Sequence, residues 1–131
     1  AIKTLPNAQY KGVFKGSNPE VYWELAKYDV LLFPTKWETE GVPGILVEGK
    51  IAGLAEIVSK KSYNAELVQD GINGIVLSRN NKKQLTNAIM LLDKDREYLR
   101  IIRFQSKKSA EKFYVDSYIK AIEAELNPTN E

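Results

Sequence analysis

The chain has 131 residues, 44% of them hydrophobic and 27% charged, with a formal net charge of +2. That length serves a single hydrophobic core, so one domain over residues 1–126 with a polar tail at 127–131 is expected. With no His and no Cys, the chain by itself supplies no histidine base, thiol nucleophile, Ser-His-Asp triad, zinc finger or disulfide. Its longest apolar run, Val30 to Pro34, is far short of the ~20 residues that span a bilayer. The lysine pairs Lys60-Lys61, Lys82-Lys83 and Lys107-Lys108 are scattered and lack an interleaved aromatic platform, which argues against nucleic acid as a partner. Residues 1–6 hold no apolar signal-peptide core, so a cytoplasmic location is expected. The lack of an initiator Met leads to the expectation of a processed chain or a piece of a longer one.

In chain order, Ala8 to Val13 reads as a short strand. Ser17-Asn18-Pro19-Glu20 is a helix-start signal: a capping side chain, proline at the first helical position, then an acid in the first turn. Val21, Leu25 and Tyr28 follow at helical spacing and predict a helix over Pro19 to Lys27. Val30-Leu31-Leu32-Phe33, closed by Pro34, has the continuous apolar character of a strand buried on both faces. Pro43-Gly44 opens a second helix that Gly53 closes. Ala55 to Ser59 reads as a strand, Asn64 to Gln69 as one or two helical turns, and Gly74 to Leu77 as a further strand. From Asn80 the chain is helical. Leu85, Ala88, Ile89 and Leu92 make one stripe, Leu99, Ile102 and Ser106 a second, and Ile119, Ile122 and Leu126 a third. The alternation predicts an α/β fold, an open parallel sheet with crossover helices. Ligands of such sheets bind beyond the carboxyl ends of the strands.

The segment after the apolar strand, TKWETEGVPGILVEGKIAG from Thr35 to Gly53, is where chemistry is expected. Gly41 and Gly44 leave backbone amides uncovered. A helix beginning near Pro43 directs unpaired N–H groups and a partial positive charge into the same space, which suits a phosphate. Glu40 precedes the turn, and Glu48, inside the helix, leans back over its first turn. Carboxylates accept and sugar hydroxyls donate, so the two acids could hold polyols on either side of a phosphate. A plain capped helix, with both acids merely favourable near its positive end, carries the same signature.

The run YDVLLFPTKWETEGVPGILVEGKIAGL, followed by NAELVQDGINGIVL, resembles the C-terminal half of the group 1 glycosyltransferases, retaining enzymes of the GT-B fold with nucleotide-sugar donors. Their signature separates two glutamates by seven residues, and Glu40-Gly41-Val42-Pro43 with Leu46-Val47-Glu48 fills that register. The likeness covers about residues 8–77 and takes in Tyr10-Lys11-Gly12-Val13. It implies a Rossmann-like, three-layer parallel sheet, part of a GT-B C-terminal domain. The implied activity moves a hexosyl group from a nucleotide diphosphate sugar to a glycan or lipid-linked acceptor, as in polysaccharide biosynthesis. By the same resemblance Glu48 accepts hydrogen bonds from the ribose hydroxyls, and Glu40, the catalytic candidate, contacts the donor hexose. Gly41, Val42, Pro43 and Gly44 would line the sugar and diphosphate, and the amides of Gly44, Ile45 and Leu46 would meet phosphate. Val13 and Phe14 would lie near the base. The donor is expected to be UDP- or GDP-linked, with no metal and no cofactor.

Two departures from the family pattern stand out. Gly49 occupies a position usually held by Ala, and Gly53-Leu54-Ala55 replaces Gly-Leu-Pro. The Arg and Lys that neutralise the leaving diphosphate in the family, and its N-terminal acceptor domain, do not fit into Ala1 to Tyr10. The expectation is therefore a donor-binding fragment, inactive alone, whose partner is that missing domain, at the inner face of the membrane in the full-length protein. The Val30 to Phe33 strand would then expose an apolar edge and favour a homodimer or a rearranged N-terminal strand. The alternative is a non-catalytic α/β module holding a nucleotide or another anion for assembly or regulation. Among weaker signals, Asp93-Lys94-Asp95 reads as a helix cap rather than a metal site, and Gly71-Ile72-Asn73-Gly74 as a turn. Ser62-Tyr63-Asn64 reads as a cap on the following turn. Trp23 is expected partly in the core, and Trp37 beside the sugar site or anchoring its loop.

Overall fold

The computed structural model describes residues 4–17, 19–38, 41–61 and 63–126. Strands β1 (Val30–Phe33), β2 (Ala55–Ser59) and β3 (Gly74–Leu77) form one parallel sheet in the order β1-β2-β3. Helices α1 (Glu20–Leu25), α2 (Gly44–Ala52), α3 (Asn64–Leu67), α4 (Lys82–Lys94), α5 (Arg96–Ser109) and α6 (Val115–Leu126) surround it, with a 3-10 turn at Ala110–Phe113. The architecture is the α/β, Rossmann-like layering that the alternation of elements predicts.

Side chains of a strand alternate between its two faces, and β2 divides the core accordingly. Ala55 and Ile57 pack with Leu77, Ala88, Leu92, Leu99 and Ile102 beneath α4 and α5. Val58 packs with Leu46, Leu67 and Val68 beneath α2 and α3. Having a strand on each side, β2 is buried along its whole length. β1 is the sheet edge instead, and its Leu32 is 44% exposed. The strand expected to be buried on both faces is only partly so: Val30 packs on one core cluster and Leu31 and Phe33 on the other, and Leu32 stays exposed because full burial belongs to the middle of the sheet.

Other boundaries shift for local reasons. Residues 8–13 form no strand and lie exposed; Lys11 and Gly12 interrupt the apolar pattern, and Gly12 takes φ 78°. Pro19 stands at the cap position of α1 rather than inside it, and the Glu20 carboxylate accepts from the amide and hydroxyl of Ser17 at 2.8 and 3.0 Å. Asn18, expected to cap this helix, lies outside the described residues. Trp23 is 67% exposed and is not a core residue. α3 stops at Leu67 because Val68 turns extended.

Gly53 ends α2 in the left-handed conformation, φ 78°. Its N–H bonds the Lys50 carbonyl and the Leu54 N–H bonds the Gly49 carbonyl, at 3.0 and 2.9 Å, the hydrogen-bond pattern that closes many helices. Asn81 caps α4 by accepting from the Gln84 amide, and Asp95 caps α5 by accepting from the Tyr98 amide, both at 2.9 Å. Asp93-Lys94-Asp95 is therefore a helix junction, and among the described residues no group of three or more metal-ligating side chains comes together. Ile119, Ile122 and Leu126 share an exposed stripe with Val115, because α6 packs on the 3-10 turn rather than on the sheet. The expected tail at 127–131 lies outside the described residues. Among the described residues, no helix is long and apolar enough to cross a membrane.

Candidate functional site

The loop leaving β1 is fastened to the carboxyl ends of both other strands. The Thr35 carbonyl accepts hydrogen bonds from Ser59 Oγ at 2.6 Å and Asn80 Nδ2 at 2.9 Å. Asn80 Nδ2 also reaches the Pro34 carbonyl at 3.3 Å. Thr35 Oγ1 accepts from the Trp37 amide at 3.2 Å, leaving the Trp37 ring exposed. Glu38 pairs with Lys61, whose hydrogen bond holds the Glu38 carboxyl below its ordinary pKa. The next two residues, including Glu40, lie outside the described residues.

The chain returns at Gly41 and enters α2 through Pro43, which is extended and buried. The Leu46 amide donates to the Pro43 carbonyl at 3.0 Å, and the Leu46 side chain is fully buried in the core. Leu46 is therefore a packing residue whose N–H is already engaged. Among the described residues the amides of Gly44 and Ile45 have no partner. Among the described residues, no atom beyond the chain neighbours and the helix's own backbone lies within 4 Å of where a Cβ would sit on Gly41 or Gly44. Glu48 follows Gly44 by four residues and shares its face, away from buried Leu46, Gly49 and Lys50. Glu48 is half-buried, and its carboxylate has no hydrogen bond or ion pair among the described residues. Free N–H groups, a positive helix end and an uncommitted acceptor thus share one open surface at the carboxyl end of the sheet. Val42 is exposed beside it. Val13 and Phe14, 79% and 50% exposed, lie on the irregular segment before α1.

Beneath α2 is a feature the sequence reading missed. Lys50 Nζ meets Glu56 Oε2 at 3.1 Å, both side chains fully buried. Neither gains a well-aligned hydrogen bond among the described residues. Burial outweighs the attraction of Lys50 and pushes Glu56 up to about 7. It likewise lowers Lys50, with the Lys112 charge adding to the effect. The pair explains the departure at Gly49: a Cβ there would lie 2.9 Å from Glu56 Oε1 and 2.9 Å from Leu31 Cδ2. The available signal was an acid inside a short strand, six residues after a lysine in the helix preceding it.

A second cationic surface lies at the opposite end of the sheet, around a cavity of about 330 Å³ lined by Asp29, Gly53, Arg96, Arg100, Arg103 and Lys107, among others. Its arginines are engaged by the protein itself. Arg103 bonds the Gly53 carbonyl at 2.9 Å and, with Arg96, the Asp29 carboxylate, while Arg100 chelates Glu97. It is a structural brace over the end of α2.

The sequence profile of the glycosyl transferases group 1 matches residues 4–109. The chain belongs to this family. No protein of curated function matches it by sequence. Among solved structures, HepE of Anabaena in complex with UDP superposes with TM-score 0.70 at 21% identity, over 79% of this chain and 28% of that one. HepE with UDP-glucose gives TM-score 0.70 at 19% identity, over 82% and 29%. The C-terminal domain of LpcC, a group 1 glycosyl transferase from Francisella tularensis, gives TM-score 0.65 at 20% identity, over 79% and 52%. At these identities the likeness establishes the fold. This group 1 chain spans less than a third of the HepE chain.

Proposed function

We propose that the N-terminus of α2 holds the donor of a retaining hexosyltransferase, a nucleotide diphosphate sugar. The observation that carries the reading is the juxtaposition of unpartnered Gly44 and Ile45 amides with the uncommitted Glu48 carboxylate. The amides and helix end oppose the diphosphate charge, and Glu48 accepts from the ribose hydroxyls. Glu40, reached through the loop fastened at Thr35, contacts the hexose, with Gly41, Val42, Pro43 and Gly44 lining the sugar and diphosphate. Val13 and Phe14 flank the base. The helix end contributes part of the stabilisation of the departing diphosphate, the family's Arg and Lys supplying the rest from outside this chain. Acceptor binding and a closed cleft belong to a further domain, so the chain alone binds donor without transferring sugar. UDP is favoured over GDP as the nucleotide because the HepE complexes hold UDP and UDP-glucose.

Isothermal titration of UDP-glucose, GDP-glucose and UDP into the chain and its Glu48→Ala variant tests this. Loss of charge-assisted hydrogen bonds predicts at least about tenfold weaker UDP-glucose binding in the variant. Equal affinity in both proteins would remove Glu48 from the site.

A further inference from the structure

We infer that the buried Lys50–Glu56 pair makes donor binding proton-linked: an anion received at the first turn of α2 is bound together with a proton that Glu56 takes up. This rests on the donor reading above and names how pH regulates that same site. The pair itself, and its contact with the helix that carries the site, do not depend on that reading.

Lys50 stands on α2 two residues after Glu48. Glu56 reaches up from β2 to the backbone of the same helix, its Oε1 lying 2.9 Å from the position a Cβ of Gly49 would take. Both side chains are fully buried, with Nζ and Oε2 3.1 Å apart, and neither carboxylate oxygen has a well-aligned hydrogen bond among the described residues. Ionising a carboxyl in that position is unfavourable, because burial removes the stabilisation of water and one neighbouring cation returns only part of it. Lys50 is the charged group that acts on Glu56, and Lys112 on the 3-10 turn acts in turn on Lys50. From the other elements packed on β2, the buried face of α3 brings the neutral Asn64 and α5 the neutral Ser106, while the acid of α3, Glu66, is exposed; β1 and β3 carry no charged side chain.

While Glu56 holds its proton, the pair carries one net positive charge beneath α2; once Glu56 ionises, the pair is neutral. That change falls near pH 7, and in a chain without His or Cys no side chain with an ordinary value near neutral competes with it. A helix rises about 1.5 Å per residue, so a phosphate on the Gly44 and Ile45 amides stands roughly 10–15 Å from Glu56. Across that distance of protein a partly screened phosphate charge alters an ionisation about fivefold. The bound anion opposes ionisation of Glu56, so binding draws a proton onto it. By reciprocity, affinity for the anion falls as pH rises through the same window.

UDP-glucose is the probe, since its diphosphate is esterified at both ends and stays fully ionised in this range, whereas a terminal phosphate such as that of UDP titrates near about 6. Isothermal titration into the whole, unsubstituted chain at about pH 7.5, in PIPES and in Tris at equal ionic strength, reads the proton directly, because the two buffers differ in heat of ionisation. The apparent binding heat is expected to differ between them with the sign of proton uptake. The dissociation constant is expected to rise about fivefold from about pH 6 to about pH 8.5. Glu56→Gln (E56Q) keeps the shape of the protonated carboxyl and should hold the low-pH affinity across the whole range. Equal heats in the two buffers, or the same pH profile in E56Q, would overturn the inference and leave the donor reading standing; a merely structural pair gives that second result, with Tm alone altered. No binding of UDP-glucose at any pH would overturn the donor reading and the linkage together.

Discussion

Gly49, Lys50 and Glu56 act as one unit, and each substitution has a different expected sign. Alanine at 49 would gain about 1 kcal/mol of helix propensity over glycine, but its Cβ would press on Glu56 Oε1 and Leu31 Cδ2 at 2.9 Å. Overpacking of that kind costs about 1–3 kcal/mol, so Gly49→Ala is expected to lower stability in urea denaturation. The loss should shrink in a Glu56→Ala background, where half the obstruction is gone; equal losses in both backgrounds would contradict the packing argument. The same carboxyl makes stability depend on pH. Glu56 titrates near 7 in the fold, against an ordinary value of 4.5, so folding takes up a proton between those values. Its contribution to stability therefore falls as pH rises through that window. Thermal denaturation from about pH 5 to about pH 8 should show that decline, and Glu56→Gln should remove it. Lys50, pushed below 10.5, gives a slope of the opposite sign on the alkaline side. The Gly49 departure was legible in the sequence, but its cause was not. The spacing of Glu40 and Glu48 pointed to chemistry on the outer face of α2, whereas Lys50 and Glu56 are paired only by the helix-to-strand crossover beneath it.

At the scale of elements, helix punctuation was the most readable part of the sequence. Gly53 and Asp95 stop and start helices as their sequence signals predict, whereas Pro19 caps α1 instead of lying inside it and Asn81, which the sequence reading did not single out, caps α4. Replacing Asn81 by alanine removes the acceptor of the Gln84 amide and should cost about 1 kcal/mol, read as a shift in the urea midpoint at constant slope. Ala55–Ser59 and Gly74–Leu77 emerge with the bounds their apolar runs predict. β1 is different: its apolar run fixed the strand but not its place, because burial on both faces depends on neighbours the run does not encode. Residues 8–13 fail for the complementary reason, a short interrupted pattern with no strand beside it. The amphipathic stripe of α6 was correctly periodic, yet periodicity names an apolar face without naming what covers it.

Over the whole molecule, the described residues leave two apolar features exposed, the β1 edge and the stripe on α6. Leu32 and the Val115, Ile119, Ile122 and Leu126 row leave apolar surface in water, and edge strands pair with other chains when nothing blunts them. Sedimentation velocity is expected to show self-association that grows with concentration and weakens in Leu32→Lys; a monomer at every concentration would count against it. The fold class and the start of α2 just after Pro43 were both visible in the sequence, since each follows from a local run of residues. The clamp at Thr35 was not, because it joins residues 35, 59 and 80 through a topology that no single run displays. The central claim is that the first turn of α2 receives a diphosphate, and amide NMR during titration with UDP addresses it most directly. The account predicts the largest shifts at the Gly44 and Ile45 amides; largest shifts around Gly53 and Arg103, at the opposite end of the sheet, would contradict it.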